Sequence, residues 1–229
     1  MLDATLMTDL LDTPVRASFD ADWRPHAVSR GAAAALRPDI GPFAAPASDR
    51  PEDLADLAAL VTARAAPVLM AQVPEIRVPE GLALLGLVKA VQMVATEAAQ
   101  SDPTEFRELG PEDAPEMLRL AQLTKPGPFE LRTHRLGTFV GLHAEGALVA
   151  MAGQRMGFGG YREISGVCVH PDHRGKGHAT RLLGAMIGRI RAEGKTPFLH
   201  TYADNATAIR LYESLGFELR AELNVAEIA

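Results

Sequence analysis

Apolar and polar positions fall into two regimes along this chain. Before residue 104 the pattern is interrupted by Pro and Gly, which cluster in residues 37–51 (RPDIGPFAAPASDRP) and 79–81 (PEG). One segment there is clear. In RPEDLADLAALVTARAAP, Leu54, Leu57, Ala58 and Val61 share one helical face, Pro51 suits the first turn, and Ser48 or Asp49 can cap it. PVLMAQV follows as a buried strand. LALLGLVKAVQMVAT fits strand or helix, because a short apolar run does not separate the two by period. Trp23, the only tryptophan, is expected to anchor packing. QSDPTEFRELGPEDAPEM reads as a joint, since the residue before Pro103 is pushed out of helical geometry. After it the elements are legible one by one. TEFRELG is a strand, PEDAPEMLRLAQLT a helix with Pro111 near its start, and KPGPFELRTHRLG a loop. TFVGLHAEGALVAMAGQRM is a hairpin turning at Ala144-Glu145-Gly146, and YREISGVCVH is a further strand. A helix over about residues 178–193 ends at Gly194. TPFLHTY is a strand, DNATAIRLYESLG a helix capped by Asp204 or Asn205 and stopped by Gly216, and FELRAELNVA the last strand. The order is β-α-β-β-β-α-β-α-β.

Composition narrows this only a little. A chain of 229 residues with 47% apolar content can bury a core as one large domain or two small ones. Its longer apolar stretches, such as Gly81–Val88, fall short of a membrane span, so no membrane partner is expected. The acidic N-terminus MLDATLMTDLLDT lacks the layout of a signal peptide, and the single cysteine, Cys168, excludes an internal disulfide. Both favour a reducing, cytoplasmic setting. The net charge is −6, and residues 1–103 carry 14 acids against 8 bases. No segment reads as a basic arm, so no nucleic-acid partner is expected. The acidic half reads most simply as a solvated face, with attraction of a cationic substrate the sharper alternative.

One stretch carries chemistry. In VCVHPDHRGKGHATRLL a strand enters a proline turn, then a glycine-rich bend, then a helix. Gly175 and Gly177 can take positive φ and let a ligand approach the main chain. Unpaired N–H groups and the positive end of the helix dipole favour an anion there, and Arg174 and Lys176 add charge. A phosphate or pyrophosphate ligand is therefore expected. The mononucleotide string GxxxxGK[ST] is absent, and GxGxxG fails at Thr180.

What does match is R-x-x-G-x-A, at Arg174, Gly177 and Ala179. It resembles the pyrophosphate-binding signature of the GNAT superfamily of acyl-CoA-dependent N-acyltransferases. Downstream, DNATAIRLYESLGF is similar to a second hallmark of that superfamily, at Asn205, Ala208, Leu211, Tyr212, Gly216 and Phe217. The resemblance covers about residues 104–225 and implies an α/β (α+β) fold with a mixed sheet flanked by helices. Residues 1–103 are then an N-terminal accessory α/β domain beside a GNAT domain at 104–229. Helix-then-strand patterns in both parts leave room for residues 1–103 to be a degenerate half of the same fold.

The resemblance implies site roles. The loop Arg174, Gly175, Lys176, Gly177, His178, Ala179 and Thr180 grips the pyrophosphate of acetyl-CoA. Val167, Cys168 and Val169 offer peptide groups to the pantetheine arm across a slot where this strand splays from FLHTY. Asn205 and Ala208 lie along the same arm. Tyr212 is the acid that protonates the leaving thiolate, since a phenol stays protonated at neutral pH. Glu163, on the strand entering the motif, is the expected base, with His134, His143 and His200 as alternatives. The implied reaction is direct attack of a primary amine on the thioester in a ternary complex, with loop 124–136 forming part of the acceptor wall. A non-catalytic acyl-CoA sensor is the alternative function. No metal is expected, because His170, His173 and His178 straddle a turn and a helix start. Cys168, a lone cysteine in an apolar strand, is expected in the core rather than as a nucleophile. The acceptor and the choice between monomer and homodimer are not encoded legibly.

Overall fold

The structure, a computed structural model, describes residues 9–96, 102 and 106–229. The N-terminal residues 1–8, Pro103 of the expected joint and the start of the strand expected at 104–110 lie outside them.

The first half opens with α1 (Pro14–Phe19), followed by β1 (Ala27–Arg30), β2 (Ala33–Leu36) and β3 (Ala44–Ala45). These strands form a three-stranded antiparallel sheet that the hydrophobic pattern did not reveal. All four residues of β2 are buried, so the period-2 alternation that marks a half-buried strand is missing. α2 (Pro51–Arg64) starts at the expected proline and buries Leu57, Leu60 and Val61. Its N-cap is Arg50 rather than Ser48 or Asp49, and no side chain caps it. Ser48 instead donates to the Asp53 carboxylate at 2.5 Å. β4 (Val68–Gln72) follows, and then the ambiguous run resolves as a strand, β5 (Leu84–Ala95).

The second half holds β6 (Arg107–Leu109), α3 (Ala114–Thr124), β7 (Phe139–Ala144), β8 (Ala147–Phe158) and β9 (Tyr161–Val169), then α4 (His178–Ala192), β10 (Thr196–Tyr202), α5 (Ala206–Ser214) and β11 (Phe217–Ile228). This is the order expected from sequence. The β7–β8 turn needs positive φ at both central residues, and Glu145 (52°) and Gly146 (82°) supply it.

The large sheet has eight strands in the order β4-β11-β5-β10-β9-β8-β7-β6. Its pairs are antiparallel except β9–β10. Two of its strands come from residues 1–103. β5 is wedged between β10 and β11, pairing from Phe198↔Val94 to Tyr202↔Ala90 on one side and from Phe217↔Ala95 onward on the other. The sheet's hydrogen bonds therefore do not follow a division at 103/104, because a strand from the first half closes the gap between two strands of the second.

Each face of the sheet has its own cover. On one, Leu182, Leu183, Met186, Ile187 and Ile190 of α4 pack on Val91, Met93, Ala150, Ile164 and Leu199, with Tyr212 of α5 at the margin. On the other, Met117, Leu120 and Ala121 of α3 cover Phe139, Met151 and Cys168. Beside them Trp23, Phe19 and Leu11 cover Met156, Phe158 and Phe198. Trp23 is fully buried as expected, and its indole N–H donates to the Arg155 carbonyl at 2.7 Å.

Candidate active site

β9 and β10 part after three register pairs, Thr196↔Tyr161, Pro197↔Arg162 and Phe198↔Glu163. Beyond them β9 runs on to Val169 along β8, and β10 runs on to Tyr202 along β5. Two strands held by different neighbours leave a slot between them, lined by peptide edges with no strand partner among the described residues. The register between Gly153↔Ser165 and Met151↔Cys168 gains one residue on β9, which marks a bulge. Gly166 takes φ 63° there, and a Cβ at that position would lie 3.1 Å from the Phe139 ring. Phe129 of the 125–136 loop stacks edge-on against the same ring, with centroids 5.6 Å apart. Thr133 ties that loop to the first half by donating to the Ile40 carbonyl at 2.7 Å.

At the end of β9 a single turn (Pro171–His173) leads to Gly175 and Gly177. Both take φ 74°, and no heavy atom lies within 4 Å of a Cβ built on either. Gly177 is the N-cap of α4 and offers no side chain to its first turn. The first amide of this turn to bond back is Arg181, to the Gly177 carbonyl at 3.1 Å. Among the described residues no acceptor meets the N–H groups of Gly175 to Thr180. The Arg174 guanidinium donates to the Val169 carbonyl at 3.3 Å, which holds it beside the loop. His178 has its proton affinity lowered, first by burial and then by Arg181, Lys176 and His173. Open amides at a helix start, with cations beside them, are an arrangement that favours an anion.

On the α4/α5 face, Asn205 caps α5 by accepting from the Ala208 N–H at 3.1 Å. Its carboxamide oxygen is thereby committed to the helix. Tyr212 packs against the core, its ring 6.1 Å from that of Phe217, and no hydrogen bond to its hydroxyl is found among the described residues. Burial raises its pKa, so the phenol keeps its proton at neutral pH.

Glu163 occupies a different environment from the one its expected role requires. It is fully buried on the opposite face of the sheet. Arg155 Nε and Nη2 donate to its two oxygens at 2.9 and 2.8 Å, and the Met156 N–H donates at 3.3 Å. His200 Nδ1 lies 2.8 Å from Oε1. Burial pushes its pKa up, but Arg155 and His200 overcome this and bring it from 4.5 to about 2. A carboxylate so acidic, with both oxygens occupied, is a poor proton acceptor. The geometry makes it a clamp on Arg155 and His200 instead.

His200 is thus brought to the slot's closed end, two residues beyond the last β9–β10 pair. Its neighbours fix its tautomer. Arg220 donates to Gln92 Oε1 at 3.0 Å, and Gln92 Nε2 donates to the Leu11 carbonyl at 3.0 Å. The amide nitrogen, not the oxygen, therefore faces His200 Nε2 at 3.0 Å. Nε2 carries the lone pair, and Nδ1 carries the proton toward Glu163. Arg220 is anchored in turn by Asp9 (2.8 Å) and Asp12 (2.7 Å). Sequence reading missed Arg155, Gln92 and Arg220. The available signal was a polar residue inside each apolar strand run, QRM in β8 and VQM in β5.

The other candidates separate from the slot. His143 lies beside Arg107 (3.2 Å) and Glu116 (3.7 Å), and His134 contacts the Leu131 carbonyl. His134 also lines an open cleft of about 770 Å³, with Arg135, Arg162 and Glu193, at the far end of β9 from the loop. No group of three metal-ligating side chains converges among the described residues. Cys168 is buried beneath α3, and burial pushes its thiol up to about 11. The native thiol is expected to resist alkylation at neutral pH and to react with one equivalent once denatured, which thiol titration with and without guanidinium checks.

Comparison with known proteins gives consistent matches. Residues 139–225 match the family model described as FR47-like protein. A candidate acetyltransferase of the GNAT family from Novosphingobium aromaticivorans superposes with a TM-score of 0.88 at 38% identity, covering 96% of this chain and 98% of that one. An L-methionine sulfoximine/L-methionine sulfone acetyltransferase from Salmonella typhimurium is 37% identical over 75 residues. The L-amino acid N-acyltransferase MnaT from Escherichia coli is 35% identical over the same length. Each of these two alignments spans 29% of this chain and 44% of the curated relative.

Proposed function

The chain belongs to the GNAT family, and from that premise we propose that it transfers an acetyl group from acetyl-CoA to a primary amine of a small molecule or peptide, by direct attack in a ternary complex. The observation that carries this reading is the run of N–H groups from Gly175 to Thr180 that meet no acceptor among the described residues, opening beside the β9–β10 slot. The pyrophosphate takes those amides, with Arg174 and Lys176 supplying charge. The pantetheine arm lies in the slot as an added strand against Val167–Val169. Peptide N–H groups at the bulge polarise the acyl carbonyl as it gains negative charge.

The two proton transfers fall on opposite faces of the sheet, joined through the slot. Tyr212 protonates the departing thiolate. On the other face His200 takes the role first expected of Glu163. Its Nε2 lone pair accepts the amine proton when the entering amine replaces the Gln92 amide, and Glu163 stabilises the imidazolium that forms. A His200→Gln variant is expected to lower kcat while keeping the acetyl-CoA Kd, which steady-state thiol release and calorimetry check.

For the acceptor, the two curated relatives are named for amino-acid substrates, so α-amino acids and methionine sulfoximine head the panel. Release of free thiol with any amine supports the enzyme. Acetyl-CoA binding without turnover across the panel supports a sensor instead. Gly177→Val forces a β-branched residue to positive φ and blocks the close approach, so the acetyl-CoA Kd is expected to rise at least ~10-fold, read by calorimetry.

A further inference from the structure

The first half of β5 is apolar, exposed on both faces, and along one edge has no strand partner among the described residues. Leu84, Leu85, Leu87 and Val88 are 49%, 53%, 54% and 47% exposed. On one side these residues pair with β11, from Ile228↔Leu84 to Val225↔Val88. On the other side β10 pairs only as far as Tyr202↔Ala90. The Ala203 N–H meets the Lys89 carbonyl, and the outward peptide groups of residues 84–88 have no strand partner among the described residues. Half-exposed Tyr202 extends the patch along β10.

Natural sheet edges are usually blunted by charge, proline or a cover. Residues 84–88 carry neither charge nor proline, and no strand among the described residues covers their outer edge. No charged residue lies between Glu80, at the turn leading into the strand, and Lys89. The geometry points to a second copy of this chain as the occupant, paired antiparallel through β5 about a two-fold axis near Gly86. That arrangement sets Leu84 and Leu85 of one copy against Leu87 and Val88 of the other, apolar against apolar at each position. It sets Lys89 of one copy across from Ala83 of the other at both ends, so no like charges face each other. Lys89 already pairs with Glu222 at 2.9 Å, so the edge offers no free cation to repel its own copy. A parallel pairing would set like charge beside like. An isologous contact meets the backbone, apolar and charge requirements at once, by symmetry. The pairing joins the two large sheets through the free halves of their β5 strands.

Sedimentation velocity on the full chain tests this. The expected species at micromolar concentration has twice the 24.5 kDa chain mass. The variant Leu85→Lys/Leu87→Lys changes only exposed side chains, and is expected to sediment as a monomer with its circular dichroism and melting temperature retained. Amides of residues 84–88 are expected to exchange more slowly in the concentrated wild-type protein than in the dilute one. A wild-type monomer at all concentrations overturns the proposal. So does a dimer that survives the double substitution, or one whose formation leaves exchange at residues 84–88 unchanged.

Discussion

Glu163→Gln is expected to destabilise the fold by about 3–5 kcal/mol, the range for breaking a buried ion pair from one side. Four donors converge on this carboxylate: two from Arg155, the Met156 amide and His200 Nδ1. A glutamine presents an NH₂ group to one of them and leaves the Arg155 guanidinium buried without a counter-charge. The pH dependence follows from the lowered pKa. A carboxylate whose pKa falls from 4.5 unfolded to about 2 folded stabilises the protein fully above pH 4.5 and loses that contribution as the pH falls toward 2. The contribution is about 3 kcal/mol, comparable with the expected loss on mutation. Urea melts at several pH values should show a steep acid limb in the wild-type protein that the variant lacks. An apolar pair, Arg155→Met with Glu163→Leu, is expected to recover most of the stability while impairing turnover, because the orientation of His200 is lost. Equal stability of Glu163→Gln and wild type would remove the clamp from this account.

Tyr212→Phe is expected to lower kcat by ~10²–10⁴, the range for loss of a positioned general acid, with acetyl-CoA affinity retained. The substitution deletes one hydroxyl for which no protein partner is found among the described residues, and it keeps the ring contact with Phe217. Stability should therefore barely change, which separates this variant from Glu163→Gln. Because burial raises the phenol pKa, the wild-type enzyme should hold its rate well into the alkaline range before the acid ionises. The variant should show no such limb. Steady-state thiol release across pH checks both points, and an unchanged kcat would take the acid role from Tyr212.

The parts of this molecule that were legible in the sequence are those where local chemistry decides structure. Gly177 before an amphipathic helix, Asn205 before the next and Gly146 in a hairpin each fix their element by cap or turn geometry alone. The open bend before α4 was legible for the same reason, since Gly175 and Gly177 lie one residue apart at its start. What escaped depends on distant neighbours. β5 reads as strand or helix alone, and only its insertion between β10 and β11 selects a strand. β2 is four small or apolar residues buried together and shows no alternation. Glu163 looked like a base because its place on β9 was right. Its protonation is set by Arg155 across the bulged β8 pairing and by His200 across the sheet, and neither is local in sequence.

The most direct test is a crystal structure with acetyl-CoA bound. The account places the diphosphate oxygens within hydrogen-bond distance of the N–H groups between Gly175 and Thr180, with the thioester in the slot between β9 and β10. A cofactor seated anywhere else, with those amides still unoccupied, would contradict it.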